Sequence, residues 1–163
     1  MNSENVNEFK SEYAVIALNF REPVGDASVP ASLDVPNGSI GELYQPLEFL
    51  EFSSIEPRGR LVKFGTLGLF GSILWDPHTG HVVESARGME GVRVVNTTLE
   101  HFTLCMGGLI ERYPFDEDED GGSWDIAAAG FEDMMRRTDP EAYEVHDNYW
   151  YELMWSIKSG DFS

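Results

Sequence analysis

The chain has 163 residues, which suits one domain of ordinary size, and apolar residues make up 42% of it, enough for a core that needs no disulfide or metal. Asp and Glu total 29 against 11 Lys and Arg, and the net charge of −18 disfavours nucleic acid and anionic lipid as partners and favours a basic surface. No apolar run approaches the roughly 20 residues that span a bilayer, so we expect a soluble, cytoplasmic protein that binds no membrane.

The sequence of the N-terminal quarter shows few patterns that are typical of regular secondary structure. Residues 1–7 are polar and predict a loose terminus, without the apolar stretch of a signal peptide. Tyr13–Phe20 is mostly apolar, and its pattern fits a helix as well as a buried strand. From Arg21 to Gly41, three prolines and three glycines predict an irregular connector with turns.

The middle of the chain predicts short strands. They are Glu42–Phe52, Arg60–Phe64, Leu67–Trp75, His81–Ser85 and Val92–Val95. The segment 76–80 (Asp-Pro-His-Thr-Gly) predicts a hairpin turn, because Asp bonds its own backbone, Pro presets φ and Gly accepts a positive φ. The glycines of Gly65–Gly71 do not form the G-x-G-x-x-G motif of a nucleotide site, and they indicate bulges or close packing in a strand.

Helical patterns begin after residue 96. The sequence Thr97-Thr98-Leu99-Glu100 matches a capping box, with Thr97 as N-cap and Glu100 reaching back, and an apolar stripe follows at helical spacing. A second helix is predicted over Ile126–Arg137, with basic residues at its C-terminal end.

A third helix is predicted to start at Asp139-Pro140, with Asp139 as N-cap, and to end at Gly160. Strands followed by helices predict an α+β fold: a mainly antiparallel sheet with helices packed on one face. No repeat or linker divides the sequence, so we expect a single domain over residues 1–163.

Residues able to carry catalysis or bind metal do not form a working pattern. His78 and His81 flank a turn, but the further ligands of a zinc site are not found at the required spacing. Cys105 lies among apolar residues and is predicted to be a buried free thiol. We therefore expect no cofactor, no metal and no catalytic residue. A catalytic carboxylate pair is the alternative that so acidic a sequence leaves open.

Five consecutive carboxylates precede Gly121 and Gly122 and predict an exposed, charged loop. The run lacks the spaced ligands of a calcium-binding loop. We predict that this loop and the acidic and aromatic residues near it bind the partner: Asp116, Glu117, Asp118, Glu119, Asp120, Trp124, Asp125, Glu132 and Asp133. In the alternative interpretation, Trp124 packs in the core and the loop is only solvated.

The order of several segments carries a family resemblance. An apolar, glycine-containing stretch (LVKFGTLGLFGSILW) precedes the Asp-Pro-x-Thr-Gly turn and a strand that begins His81-Val82-Val83. The block VVNTTLEHF then opens a helix, and Asp139-Pro140-Glu141-Ala142 precedes Tyr149-Trp150. Over roughly residues 29–159 this arrangement resembles the SUKH superfamily of bacterial immunity proteins, most closely its fourth subgroup.

The resemblance implies a SUKH-like fold with a curved sheet and a non-enzymatic protein that binds and neutralises a bacterial polymorphic toxin. Many toxins of such systems are nucleases or nucleic-acid deaminases. Enzymes of that kind hold phosphates with Lys and Arg, so an acidic surface suits their basic active surface. We therefore predict an immunity protein whose partner is a cognate toxin. The alternative is a scaffold or regulatory module of the same fold.

Overall fold

The computed structural model describes residues 15–38, 43–112, 123–144 and 148–158. The strands within these ranges are β1 (Val15–Asn19), β2 (Ser32–Pro36), β3 (Tyr44–Ile55), β4 (Gly59–Leu67), β5 (Gly71–Trp75), β6 (Val82–Ala86) and β7 (Arg93–Asn96). The helices are α1 (Leu99–Arg112), α2 (Ser123–Thr138), α3 (Pro140–Glu144) and α4 (Tyr149–Lys158). β1 pairs with β2, and β3 to β7 form an antiparallel sheet in sequential order. The predicted α+β fold is confirmed, and the ambiguous segment near residue 15 is a strand.

β2 lies inside the segment that was expected to be an irregular connector, so that prediction is wrong for Ser32–Pro36. Leu33 and Val35 are buried while Asp34 between them is exposed, which is the alternation of a strand with one face on the core. Its partner strand is β1, where Leu18 stands opposite Leu33. The proline at the end of the strand does not disturb this short ladder.

The predicted strand Leu67–Trp75 is divided by a hairpin tip. β4 ends at Leu67 and β5 begins at Gly71, because Gly68 adopts a left-handed φ of +65° that turns the chain. Leu69 and Phe70 are consequently 70% and 65% exposed at the tip. The close packing predicted for this glycine-rich stretch is confirmed at Gly65, where an added Cβ would lie 2.8 Å from the carbonyl oxygen of Gln45.

The predicted turn between β5 and β6 is confirmed. The backbone N–H of His78 donates to Asp76 Oδ1 over 2.8 Å, and Gly80 has a φ of +80°. Arg58 Nη1 donates to Asp76 Oδ2 over 2.9 Å from the neighbouring hairpin. Burial alone would raise the pKa of Asp76, but the hydrogen bonds from Arg58 and His78 hold that pKa below its ordinary value. The turn is therefore joined to the β3–β4 hairpin by a charged contact.

The helix boundaries differ from the prediction in three places. α2 begins at Ser123, three residues before the predicted start at Ile126. Thr98 Oγ1 accepts from the backbone N–H of His101 over 3.0 Å, so Thr98 is the N-cap of α1 and the capping box predicted at Thr97 is displaced by one residue. The predicted third helix is divided into α3 and α4. Asn148 Oδ1 accepts from the backbone N–H of Tyr151 over 2.7 Å and thereby caps a separate α4.

The main core lies between the sheet and the helices. Phe102 of α1 is at its centre, with its ring centroid 5.6 Å from that of Phe64 on β4 and 6.3 Å from that of Trp150 on α4. α1, α3 and α4 all contact β7, an edge strand of four residues. A smaller cluster of Leu61, Leu74 and Val83 is buried on the opposite face of the sheet.

Candidate partner-binding surface

A buried polar cluster joins the helices to the end of the sheet. Asp139, between α2 and α3, is 3% exposed, and its carboxylate accepts from Asn96 Nδ2 over 3.0 Å. It also accepts from the backbone N–H of Thr97 over 2.8 Å and from the Thr97 hydroxyl over 2.9 Å. The Asn96 Oδ1 atom in turn accepts from Trp150 Nε1 over 2.9 Å. These bonds set the positions of α3 and α4 relative to β7.

An ion-pair network attaches the outer side of α4 to the same strand. Arg93 of β7 contacts Glu84 on β6 and lies 3.0 Å, Nη1 to Oε1, from Glu152 on α4. Burial raises the pKa of Glu84, and the positive charge of Arg93 opposes that rise. Glu84 and Glu152 thus share the guanidinium of Arg93, which joins β6, β7 and α4.

The predicted partner-binding residues are only partly placed by the structure. The acidic run 116–120 lies outside the described residues. Trp124 and Asp125 lie in the first turn of α2, and their side chains are likewise outside the described part of the chain. Glu132 and Asp133 lie on α2, each paired one turn later with an arginine at N–O distances of 2.8 Å and 2.9 Å. The two arginines offset the charge of this pair of carboxylates.

Two exposed aromatic side chains on α4 were not among the predicted site residues. Tyr151 is 43% exposed and Trp155 is 64% exposed, and their spacing of four residues places them on one side of the helix. We call this pair the aromatic ridge. The buried residues of the same helix are Tyr149, Trp150, Leu153 and Met154. A helical projection of the sequence places Tyr151 and Trp155 outside this buried stripe. Their exposed position could therefore have been predicted from the sequence pattern.

Two further surfaces expose apolar atoms. At the β4–β5 tip, the guanidinium of Arg87 lies 5.6 Å from the centroid of the Phe70 ring, which places a positive charge beside that aromatic side chain. A groove of about 410 Å³ runs between β2 and α1. The lining is mainly apolar and includes the two carboxylates of Asp34 and Glu100. The residues that line the groove are Val15, Ser32, Leu33, Asp34, Leu99, Glu100, Thr103 and Leu104.

Metal ligands and the thiol of Cys105 are two kinds of group that could carry chemistry in the described residues. Among them, no group of three or more His, Cys, Asp and Glu side chains has the arrangement of a metal site. The one cysteine of the sequence, Cys105, is buried as predicted, and burial raises the pKa of its thiol to about 12. A thiol with so high a pKa is protonated at neutral pH and is a poor nucleophile. No helix in the described ranges is long and apolar enough to cross a membrane.

Comparison with known families identifies the chain. A family model described as SUKH-4 immunity protein matches residues 53–155, more than half of the 163 residues. The chain belongs to the SUKH-4 immunity protein family. The matched range begins within β3 and ends at Trp155 of α4, so it includes the polar cluster and the aromatic ridge. The predicted resemblance is thereby confirmed, and membership of this family supports an immunity role. No curated protein and no solved structure gave a significant match to the chain.

Proposed function

We propose that this SUKH-4 protein binds a cognate protein toxin and blocks its action through an acidic surface, without catalysing a reaction. The family match over residues 53–155 carries the proposal. Immunity proteins act by forming a complex with a toxin, and the charge of −18 suits a partner whose working surface is basic. A nuclease or a nucleic-acid deaminase has such a surface, because it must hold phosphates with Lys and Arg.

The negative charge of this protein should act mainly while the protein and the toxin approach each other. The Debye length is about 8 Å at physiological salt, so carboxylates distant from the contact are screened once the complex has formed. Complementary charge raises association rates toward roughly 10⁸ M⁻¹s⁻¹ or more at low salt. We assign this steering role to the acidic residues 116–120, and we assign Asp125, Glu132 and Asp133 to the partner-binding surface beside them, where Glu132 and Asp133 are already paired with arginines. Trp124 is proposed as an aromatic contact beside them.

Co-expression tests the proposal directly. The toxin encoded beside this gene is expressed in a susceptible host with and without the protein, and survival is counted. We expect survival only when the protein is present, and purified protein added in equimolar amount should abolish toxin activity on its nucleic-acid substrate. Equal killing in both cultures, with the protein detectably expressed, would rule out the immunity role. Protection against a toxin that acts on something other than nucleic acid would retain that role and remove the proposed substrate class.

A further inference from the structure

The β4–β5 tip, residues 68–70, is held in position by backbone hydrogen bonds on both sides. The backbone N–H of Gly68 donates to the carbonyl of Leu43 over 3.0 Å, just before β3 begins. The carbonyl of Phe70 accepts from the backbone N–H of Arg87 over 3.1 Å, just after β6 ends. A turn that is bonded to two neighbouring segments loses little conformational freedom on binding, and this favours its use as a preformed contact.

Leu69 and Phe70 are exposed at this tip although the geometry of the turn does not require them. At 70% and 65%, they are the most exposed large apolar side chains of the described residues. Tight turns usually carry Gly, Asn, Asp, Ser or Pro, and here Gly68 supplies the left-handed φ. Single exposed apolar side chains are common on monomers. Two adjacent ones on a fixed backbone form a small apolar projection that fits a pocket on a partner.

Arg87 adds a positive charge to this projection. Five described arginines form ion pairs with carboxylates of the chain, namely Arg58, Arg60, Arg93, Arg136 and Arg137. Arg87 is exposed and lies over the Phe70 ring instead, without an ion pair in the described part of the chain. A guanidinium packed against a ring keeps N–H groups available at its edge, and these bind a carboxylate as a fork.

Two other surfaces lack this combination. Arg21 also lies over an aromatic ring, but the Phe49 side chain beneath it is half-buried. The groove between β2 and α1 is apolar, but the charged side chains that line it are carboxylates. The β4–β5 tip therefore joins exposed apolar side chains and an exposed cation on one fixed turn.

The charge of the whole protein indicates which partner fits this tip. A second copy would bring carboxylates to Arg87, but two molecules of net charge −18 repel each other on approach. The proposed toxin is basic and is attracted, so a local carboxylate on its surface can reach Arg87 without that repulsion. An apolar pocket with a carboxylate at its rim would accept both the apolar side chains and the guanidinium.

We propose that the β4–β5 tip inserts Leu69 and Phe70 into an apolar pocket of the toxin, while Arg87 pairs with a carboxylate at the rim of that pocket. This inference rests on the proposed function and identifies a contact that holds the complex after charge steering has brought the partners together. The contact should govern the dissociation rate, because mutations within one interface change dissociation more than association.

The apolar part of the proposal is tested by binding kinetics. Association with and dissociation from the immobilised toxin encoded beside this gene are measured for Leu69→Ala and Phe70→Ala. We expect Phe70→Ala to raise Kd by roughly tenfold or more, mostly through faster dissociation. Phe70→Leu should retain part of the affinity because it keeps apolar bulk. The control is Ile16→Ala on β1, a position that is 37% exposed, where Kd should change by less than about threefold.

The charged part of the proposal is tested at Arg87 in the same assay. Arg87→Gln should raise Kd by roughly fivefold or more, because the carboxylate of the toxin loses its partner. Arg87→Glu should weaken binding further, because it places two like charges opposite each other. Tighter binding by Arg87→Glu would show that the toxin presents a cation at this point and would overturn the proposed pairing.

The remaining outcomes separate this contact from the immunity role. Unchanged dissociation for the Leu69 and Phe70 variants, with a wild-type protein that binds the toxin, would overturn the tip contact and leave the immunity role intact. Failure of the wild-type protein to bind would overturn both. Variants that reduce self-association in sedimentation velocity without weakening toxin binding would assign the tip to a second copy and also overturn the proposal. Because Phe70 is mostly exposed, Phe70→Ala should unfold close to the wild-type temperature, and thermal unfolding checks this before binding is measured.

Discussion

Replacement of Asp139 by alanine should destabilise the protein strongly, although this residue lies in a short connection between helices. Its carboxylate accepts three hydrogen bonds from Asn96 and Thr97 while it is 3% exposed. Asn96 is fully buried, so its amide would lose a partner that water cannot replace, at a cost of about 1–3 kcal/mol. Thr97 is half-buried, and its two donors can be partly rehydrated, which adds roughly 1 kcal/mol.

We therefore expect Asp139→Ala to lower the free energy of unfolding by about 3 kcal/mol, or the melting temperature by roughly 6–12 °C for a chain of this length. Asp139→Asn keeps the shape and one acceptor and should lose about half as much. The control is Glu141→Ala, an exposed position on α3 where the change should stay below about 0.5 kcal/mol. Urea titration followed by tryptophan fluorescence measures all three. A loss for Asp139→Ala no larger than that of the control would refute the role given to the polar cluster.

Three further predictions concern charge, packing and pH. Replacing the five acidic residues 116–120 by Asn or Gln should slow association with the toxin and make the association rate less dependent on salt, with little change in the free energy of unfolding. An association rate that is unchanged in stopped-flow mixing would exclude this run as the steering element. Gly65→Ala should lower the free energy of unfolding by about 1–3 kcal/mol, because the new Cβ would lie 2.8 Å from the Gln45 carbonyl oxygen. The neutral control in urea unfolding is Gly25→Ala, since a Cβ at that position would have no atom within 4 Å. Burial raises the pKa of Cys105 from 9.0 to about 12, so between these values the unfolded chain releases a proton that the folded chain keeps. Stability should fall as pH rises through this window, by up to about 1.4 kcal/mol per pH unit for this thiol, and Cys105→Ala should reduce the slope of the urea midpoint against pH.

Local chemistry accounts for the parts of the fold that were predictable from sequence. The turn at 76–80 is specified by Asp76 and Gly80 themselves, so it forms as expected. α2 follows from its own apolar spacing and its basic C-terminal end. The stretch Leu67–Trp75 was misread because its apolar residues continue through the turn, and only the left-handed φ of Gly68 separates the two strands.

Features that depend on distant partners were not predictable. β2 is a strand because β1 pairs with it and its buried side chains join the core, and neither condition is visible in a proline-rich segment. Asp139 stands before Pro140, where a helix cap was predicted, but its carboxylate bonds Asn96 and Thr97, which lie more than 40 positions earlier in the sequence. The aromatic ridge was discernible from helical spacing once Trp150 is assigned to the core.

The shared contact of three helices with β7 has a consequence for which substitutions the fold tolerates. α1 ends at Arg112 and α2 begins at Ser123, and α1, α3 and α4 are each supported by the same four-residue strand. A substitution that displaces this strand should therefore disturb the positions of all three helices at once, whereas exposed positions on the helices can change without moving their common support.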